Sequence, residues 1–406
     1  MENISFKEAM KIALDNAFIK KETKVILLND ALGKILAEDI YAKKNLPSFD
    51  NSAMDGYAFK YEQKDKPLKI IKTIFAGDTS SPELKENQCY KIMTGAKIPS
   101  DADTVIPYEK CEIKNNIVKI KEEVKKGANF REKGEETKVG EILIKKGTLL
   151  EFSHIALLAS QGITALRVVL PLKIAVISTG NEIKEPWEVA NEDEIYNVNA
   201  FGITTLLNSF GFSGDYIGKI PDNFEKTKEF IASVKSYDVI LTTGGISHGD
   251  ADFIYDAFLE NGLKPLFHGI RVKPGHPTMM GVMGKTFVMG LPGNPLTTML
   301  ITHSLAIPVL SKISGCDKYF HTSFEAKLSQ DLKFRGKRLH IVLGNLENGY
   351  FIPTNGGKVG SGMTTPLTKS NAVAYFDEGV LEVKKEQNIK VILLNRNLKS
   401  DTFVLN

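Results

Sequence analysis

The stretch KIAVISTGNE, residues 173–182, decides the fold class of the chain. Its first part is an unbroken apolar run of the kind that forms a strand buried on both faces. Two later runs of the same type, YDVILTT (237–243) and KTFVMG (285–290), are separated from it and from each other by helical patterns. Strands that alternate with helices of ten or more residues predict a mostly parallel sheet covered by helices on both faces. We therefore expect a three-layer α/β domain over residues 173–321.

The chain on either side of this domain has a different pattern. Short β-like runs, separated by turn residues at intervals of about ten, fill residues 44–140 and predict an inserted β-rich domain. Helical and extended patterns flank this insertion at 1–43 and 141–172, which we expect to form one domain that the insertion splits. After residue 321 short strands return with Gly-rich turns such as NGGKVGSG. They predict a C-terminal β domain over residues 322–406.

Composition excludes several classes of function. The 52 basic and 49 acidic side chains give a net charge of +3, which is too small to indicate binding to nucleic acid or to a membrane surface. The three cysteines are few and odd in number, so they predict neither a disulfide nor a zinc framework. The N-terminus carries charges inside its apolar pattern, unlike a signal peptide, and no apolar run approaches the ~20 residues of a membrane span. We expect a cytoplasmic protein.

Small and acidic residues collect at the carboxyl ends of the predicted strands. The segments there are STGNE (178–182), IPDN (220–223), TTGGISHGDAD (242–252) and GLPGNP (290–295). In an open parallel sheet these ends meet at the edge where ligands bind. Glycines let a ligand approach the backbone, and amides at helix starts favour anions. The pattern predicts a phosphate-binding edge.

Carboxylates at the same edge indicate a divalent cation. Glu182, Asp222 and Asp252 would repel a phosphate, so Mg²⁺ between the carboxylates and the phosphate is the arrangement that we expect. Lys273 would add a fixed positive charge. Each feature alone also has a structural interpretation, as a Gly-Gly turn, an Asp helix cap or a solvated lysine. His248 lacks partners at zinc-ligand spacing, so we expect no metal-binding role for it.

A second group of polar loops lies in the first half of the chain. It consists of LPSFDNSAMDGYAF (46–59), KIMTGAKIPSDADTVIPYE (91–109) and ANFREKGEE (128–136). By composition these loops are turns of a β domain.

Together these segments resemble the molybdopterin molybdenumtransferases, the enzymes that insert molybdenum into adenylylated molybdopterin, and the related E domain of gephyrin. The motifs PSFDNSAMDGYA, MTGAKIPSDADTVIPYE, NFREKGEE, STGNE, TTGGISHGDAD, KPGHP and GLPGNP occur in the family's order over nearly the whole chain. The resemblance implies a split first domain, an inserted β-rich domain, a molybdopterin-binding α/β domain and a C-terminal β-barrel. It also implies an elongated homodimer, in which the inserted domain of one subunit completes the site on the α/β domain of the other.

The resemblance also implies roles for single residues. The catalytic residues that it implies are Asp55, Thr94, Glu136, Glu182, Lys273 and Arg338. The residues expected to bind the molybdopterin substrate are Thr179, Gly180, Gly244, Gly245, Ser247, Pro292, Gly293, Asn294 and Ser361. The expected Mg²⁺ ligands are Asp222, Asp252 and Glu182.

Three positions depart from the family's pattern. Glu136 stands where the family commonly has Asp, a shorter carboxylate with the same charge. His248 stands where many members have a small or apolar residue, which argues against a required ligand. Several members have a basic residue four positions before the lysine of KPG; here that position is Gly269, and the nearest cation is Arg271.

The implied reaction transfers molybdenum to a pterin dithiolene whose terminal phosphate is joined to AMP. Gly244 and Gly245 would hold the phosphates, and Lys273 and Arg338 would offset the charge of molybdate. Metal transfer would accompany cleavage of the phosphoanhydride and release of AMP. No Ser-His or Cys-His arrangement is evident, so we expect no covalent nucleophile.

Two alternatives stay open at this point. The α/β unit could run the preceding step as a molybdopterin adenylyltransferase, or the chain could bind molybdopterin as a scaffold without catalysis. The implied protein partners are a molybdopterin adenylyltransferase, which supplies the substrate, and the molybdoenzymes that receive the product.

Overall fold

A computed structural model of the chain describes residues 1–180, 182–220, 223–244 and 253–394. Six strands of a 12-stranded sheet form the centre of the largest domain. In spatial order they are Gly214–Lys219, Ile174–Ser178, Val239–Thr243, Thr286–Leu291, Met279–Met283 and Leu263–Lys273. The first four strands are parallel, whereas Met279–Met283 runs antiparallel to both of its neighbours. The predicted mostly parallel sheet is confirmed, with one strand reversed.

Helices cover both faces of this sheet and complete three layers. Phe6–Asp15, Val198–Ser209 and the helical run Pro295–Ile313 pack on one face, and Phe224–Ser233 and Phe253–Glu260 pack on the other. In the strand Ile174–Ser178, Ile174 and Val176 enter the first core while Ala175 and Ile177 enter the second. Burial on both faces therefore explains the unbroken apolar run. The 19-residue run Pro295–Ile313 is long and apolar enough to cross a membrane, but it lies 89% buried, as a core helix does.

The first fifteen residues pack against this sheet rather than within the split domain. The strand Glu2–Ser5 pairs in parallel with Leu263–Lys273. The helix Phe6–Asp15 follows, and the Ser5 hydroxyl caps it by accepting a hydrogen bond from the Glu8 amide at 3.1 Å. Its buried face joins the core of the α/β domain. The first fifteen residues therefore pack with the α/β domain, because their apolar face fits the larger core.

Segments from both sides of the insertion form a small unit. Thr23–Leu27 pairs with Ala165–Val169, and Ile40–Tyr41 pairs with Ile142–Ile144. The helix Phe152–Ser160 packs on these strands within one shared core. This pairing is what a domain split by an insertion requires; the predicted boundaries themselves stay a prediction.

The inserted segment is β-rich. It forms a six-stranded sheet in the spatial order Thr104–Pro107, Gly56–Phe59, Gln88–Ile92, Leu68–Ile74, Ile117–Ile120 and Cys111–Lys114. Two apolar cores are built from its side chains. A separate two-stranded ribbon, Asn51–Ser52 with Phe130–Arg131, joins the loops at its base.

The C-terminal domain is a closed β-barrel. Its five strands pair in the cyclic order Leu339–Glu347, Tyr350–Pro353, Ser323–Leu328, Asn388–Leu393, Ala372–Phe376 and back to Leu339–Glu347. The strand Leu339–Glu347 also pairs in parallel with the end of Leu263–Lys273. The barrel is therefore continuous with the central sheet, on the side where the ligand-binding edge is expected.

Candidate functional site

The carboxyl ends of three parallel strands lie side by side at one edge of the central sheet. Ser178 pairs with Thr243, and Thr243 pairs with Leu291. The Thr179 hydroxyl donates a hydrogen bond to the Thr243 carbonyl at 2.7 Å, and the Gly244 amide donates to the Leu291 carbonyl at 3.1 Å. These bonds join the loops that follow the three strands. We call the edge made of residues 178–180, 182, 243–244 and 291–294 the strand-end site.

Glycines let these loops approach one another closely. A Cβ on Gly244, whose φ is +77°, would lie 2.7 Å from the Thr179 hydroxyl oxygen, while the nearest atom to a Cβ on Gly293 would be the Gly244 Cα at 3.6 Å. At Gly180, where φ is +127°, a Cβ would lie 2.8 Å from the Glu182 carboxylate. Main chain without side chains is the surface that phosphate oxygens can approach. The structure thus brings together four of the residues predicted to bind substrate phosphates.

Sequence reasoning missed Asn199, which belongs to the same place. It lies in the first turn of the helix Val198–Ser209, and its buried side-chain amide donates to the Gly293 carbonyl at 2.7 Å. Its Oδ1 and the hydroxyls of Thr242 and Thr243 are buried without a hydrogen-bond partner among the described residues. Such atoms are expected where a polar ligand or water binds. An asparagine in the first turn of the helix that follows the strand-end loop STGNE is the signal that could have indicated it.

The predicted metal ligands are only partly described. Five residues that the sequence singled out lie outside the described residues: Asp222, Gly245, Ser247, His248 and Asp252. Within the described residues, no group of three or more His, Cys, Asp and Glu side chains could hold a metal ion. Glu182 is exposed beside Gly180, so it is available as one ligand. The Mg²⁺ site stays a prediction.

The C-terminal domain reaches the strand-end site through a serine. The Asn294 side-chain amide donates to the Ser361 hydroxyl at 3.0 Å, across 67 residues of sequence. The carbonyl of Pro292, on the same loop as Asn294, accepts from the Thr298 hydroxyl and is thereby fixed at the start of the core helix. The predicted residues Asn294 and Ser361 are therefore in direct contact.

The barrel also contributes to a group of cations at the same edge. Lys273 ends a strand that runs in the same direction as Thr286–Leu291, because both are antiparallel to the strand between them. Lys273 pairs with His340 on the first barrel strand, and Arg338 immediately precedes that strand. Lys273 and Arg338 are exposed, and in the described part of the chain neither forms an ion pair with a carboxylate. We call Lys273, Arg338 and His340 the basic group.

Arg271 does not add a free charge to this group. Its Nε forms an ion pair with Glu378 at 3.1 Å, and its Nη1 donates to the Asn3 carbonyl at 2.6 Å. The cation nearest to Gly269 in sequence therefore joins the N-terminal strand to the barrel.

The inserted domain carries three predicted residues and brings two of them, Asp55 and Thr94, into direct contact. Asp55 Oδ1 accepts hydrogen bonds from the Thr94 amide at 2.6 Å and from the Thr94 hydroxyl at 2.8 Å. These two bonds hold the pKa of Asp55 below its usual range. Glu136 is exposed on the third predicted loop, where its amide donates to the Leu46 carbonyl at 2.9 Å. We call Asp55, Thr94 and Glu136 the insertion cluster.

The insertion cluster and the strand-end site are built independently. Between residues 46–136 and residues 173–394, the described parts of the chain share no hydrogen bond, ion pair or sheet. All three side chains of the cluster are exposed. They are therefore free to meet another surface.

The chain combines an α/β domain with a glycine-lined strand-end site, an inserted β-rich domain and a barrel that supplies cations. Together with the family matches that follow, this combination defines a multidomain protein of the molybdopterin-binding class. Residues 175–312 match the family described as probable molybdopterin binding domain. Residues 4–162 match the MoeA N-terminal region (domain I and II), and residues 325–394 match the MoeA C-terminal region (domain IV).

Curated relatives narrow this class to one family. The molybdopterin molybdenumtransferase of Haemophilus influenzae is 32% identical over 383 residues, which cover 92% of this chain and 95% of the relative. A protein of the same name from Staphylococcus epidermidis is 30% identical over 412 residues, or 99% of this chain and 98% of the relative. The chain belongs to the molybdopterin molybdenumtransferase family, as its sequence motifs predicted.

Solved structures share the fold. The crystal structure of the molybdopterin biosynthesis moeA protein from Pyrococcus horikoshii OT3 superimposes with a TM-score of 0.84 at 28% identity and covers 96% of this chain and 100% of that chain. A second structure of the moeA protein from Pyrococcus horikosii gives a TM-score of 0.77 at 30% identity, with 97% and 99% covered. The predicted fold class is confirmed over nearly the whole chain.

Proposed function

We propose that the chain is a cytoplasmic, homodimeric molybdopterin molybdenumtransferase of molybdenum cofactor biosynthesis. It would transfer molybdenum from molybdate to adenylylated molybdopterin and release AMP. The observation that carries the proposal is the meeting of Thr179, Gly244 and Gly293 at one edge of the sheet. Lys273 ends a strand that points to the same edge, and neither it nor Arg338 has a carboxylate partner within the described residues.

The strand-end site would hold the phosphates of the substrate. Gly180, Gly244 and Gly293 leave the main chain open there, so phosphate oxygens can accept hydrogen bonds from backbone amides without displacing a side chain. The contact between Asn294 and Ser361 would close one side of this surface. These residues bind and orient the substrate.

Two members of the basic group, Lys273 and Arg338, would hold molybdate. Molybdate is an oxyanion with two negative charges, and Lys273 and Arg338, which have no ion-pair partner in the described parts of the chain, would compensate them. Hydrogen bonds from ammonium and guanidinium groups to an oxyanion are short and strong. Placement at the same edge as the phosphates would bring molybdate towards the dithiolene of the bound substrate.

Mg²⁺ is proposed to be held by Asp222, Asp252 and Glu182, where it would polarise the phosphoanhydride and stabilise the departing phosphate oxygen. Glu182 supports this because its carboxylate lies against Gly180 at the strand-end site. The other two ligands rest on their sequence positions in the family motifs.

Exposed apolar side chains support the proposed homodimer. On the split domain and on the segment after Glu182, five of them have large exposed fractions: Val25 57%, Leu27 63%, Phe152 81%, Trp187 72% and Val189 87%. Val25 and Leu27 are two residues apart on one strand and so share one of its faces, and adjoining exposed apolar side chains mark surfaces that protein partners cover. In the homodimer, the insertion cluster of one subunit would complete the strand-end site of the other.

The proposed function is tested by incubating the purified chain with adenylylated molybdopterin, Mg²⁺ and molybdate while AMP is measured. AMP release that requires molybdate is expected. ATP consumption with unadenylylated molybdopterin would instead identify an adenylyltransferase. Tight substrate binding without AMP release would identify a scaffold.

Substitutions of two neighbouring carboxylates, Asp252 and Asp250, test the Mg²⁺ proposal separately. Asp252→Ala is expected to keep the fold and to lower molybdate-dependent AMP release by roughly a hundredfold or more, because a metal ligand is removed. Asp250→Ala, two residues away, is the matched control and should retain most of the activity. Equal losses in both variants would contradict the assignment.

A further inference from the structure

His340 lies inside the basic group and has no part in the proposed function so far. It pairs with Lys273 across two parallel strands, and it follows Arg338 by two residues. Its ring lies 4.8 Å from the ring of Phe334, which in turn stacks on Phe376 with 4.8 Å between centroids. The imidazole is therefore held by aromatic packing and is half-buried.

The strand register places His340 and Lys273 on one face. Paired residues of neighbouring parallel strands point to the same side of the sheet, and the strands lie about 4.8 Å apart. The Lys273 ammonium group and the imidazole therefore extend from the same face, and the charge of Lys273 acts on the imidazole.

Two cations set the charge state of the imidazole. Burial lowers the pKa of His340, and the positive charges of Lys273 and Arg338 lower it further. The group is therefore neutral near pH 7, and a neutral imidazole still carries one N–H donor.

The acidic groups on the neighbouring strand do not offset these charges. Asp377 and Glu378 directly follow the barrel strand Ala372–Phe376, which pairs with the strand of His340. Asp377 is bound to Lys7, and Glu378 is bound to Arg271. The described residues therefore supply no anion to the basic group, and a bound dianion would be a suitable partner for it.

We propose that His340 is a third molybdate-contacting residue, whose imidazole N–H donates to an oxygen of the anion held by Lys273 and Arg338. This inference rests on the proposed function, because it takes the basic group to be the molybdate site. The bound dianion reverses the local charge that keeps the imidazole neutral, so binding is accompanied by uptake of a proton at His340.

The inference is tested by isothermal titration calorimetry of sodium molybdate into the full chain, without the pterin substrate. Titrations at pH 7 in two buffers of different ionisation enthalpy give the number of protons taken up. The wild-type chain should take up a fraction of a proton. His340→Leu should bind roughly tenfold more weakly, since a hydrogen bond to a charged group is lost, and should show no proton uptake.

Two further variants make the outcome decisive. His340→Gln keeps an N–H donor but cannot be protonated, so it should bind nearly as well as the wild type and take up no proton. His154→Gln, in the split domain, should behave as the wild type in both respects. Wild-type affinity in His340→Leu, unchanged proton uptake in His340→Gln, or no molybdate binding by the wild type would each overturn the inference.

A different observation would refute the proposed function. A wild-type chain that binds molybdate with His340-dependent proton uptake, but releases no AMP from adenylylated molybdopterin, would refute the proposed reaction and leave the role of His340 intact.

Discussion

The strand-end site and the insertion cluster hold their residues in place by different means. In the strand-end site the loops pack closely, and a Cβ on Gly244 would lie 2.7 Å from the Thr179 hydroxyl oxygen. In the insertion cluster two exposed side chains, Asp55 and Thr94, are joined by two hydrogen bonds across 39 residues of sequence.

This difference separates a fixed half of the site from an adjustable half. The geometry of the strand-end site follows from the register of a buried sheet, so small changes in volume disturb it. The insertion cluster is exposed to water, and its geometry depends on the charge of one carboxylate. In the proposed function, the rigid half would bind the phosphates and the adjustable half of a second subunit would complete the site.

The largest effect is expected where backbone packing supports the insertion cluster itself. Gly56 directly follows Asp55, and a Cβ there would lie 2.1 Å from the carbonyl oxygen of Ile106 and 2.8 Å from its carbonyl carbon. Both are backbone atoms and cannot rotate away, so Gly56→Ala should destabilise the inserted domain by about 3 kcal/mol or more, measured by denaturant unfolding.

The control for this variant is Gly95→Ala in the same domain. A Cβ on Gly95 meets no atom within 4 Å, although its φ is +76°. Only the left-handed backbone is penalised, at about 1 kcal/mol. Equal destabilisation by the two variants would show that steric contact behind the cluster is unimportant.

An intermediate effect is expected at the strand-end site. Gly244→Ala places a methyl group 2.7 Å from the Thr179 hydroxyl oxygen at a φ of +77°, so we expect a loss of about 2 kcal/mol in the free energy of unfolding. Gly293→Ala has ordinary backbone angles and its nearest contact at 3.6 Å, so its stability should change by less than about 0.5 kcal/mol.

The same pair of variants tests the phosphate surface. Gly293→Ala should raise the KM for adenylylated molybdopterin although it leaves stability nearly unchanged, because its methyl group occupies the space proposed for a phosphate. An unchanged KM would argue that the phosphates bind elsewhere.

The smallest effect is expected on the charge of the insertion cluster. Thr94→Val removes the hydroxyl donor and keeps the amide donor, so the pKa of Asp55 should rise towards its ordinary value from its lowered position. Because that pKa is lowered in the folded chain, the stability contributed by Asp55 is present above its ordinary pKa and is lost as the pH falls through the folded value. In Thr94→Val this loss should be smaller.

A carbon-13 NMR titration of the Asp55 carboxyl group measures this shift directly. Thr94→Ser keeps the hydroxyl and should titrate as the wild type. An Asp55 that titrates identically in Thr94→Val would mean that the amide alone sets its charge.

The strand-end site could be predicted from sequence because its signals are local. An apolar run such as residues 174–178 identifies a strand buried on both faces, and the glycines that follow it lie in the next few residues. Parallel strands then bring these loops to one edge by topology alone. The motifs of the inserted domain were likewise contiguous, and their resemblance to a known family indicated a function that composition could not.

The contacts that remained unpredicted depend on pairings between distant segments. The partnership of Lys273 with His340 follows from the register between the central sheet and the barrel, and no local pattern encodes it. The close approach of Gly56 to Ile106 and the hydrogen bond from Asn199 to Gly293 are of the same kind. The amphipathic pattern of the helix Phe6–Asp15 likewise shows that it packs, but not that it packs on the core of the α/β domain.

The central claim is that the site is completed between two subunits, and subunit complementation tests it most directly. Asp55→Ala alters the insertion cluster, Lys273→Ala alters the basic group, and each homodimer should be nearly inactive in molybdate-dependent AMP release. After the two proteins are unfolded together and refolded, half of the dimers should be mixed. If the site forms between subunits, each mixed dimer has one intact site, and about a quarter of wild-type activity should return. If Asp55 and Lys273 act within one subunit, no mixed dimer has an intact site, and absence of recovered activity would contradict the claim.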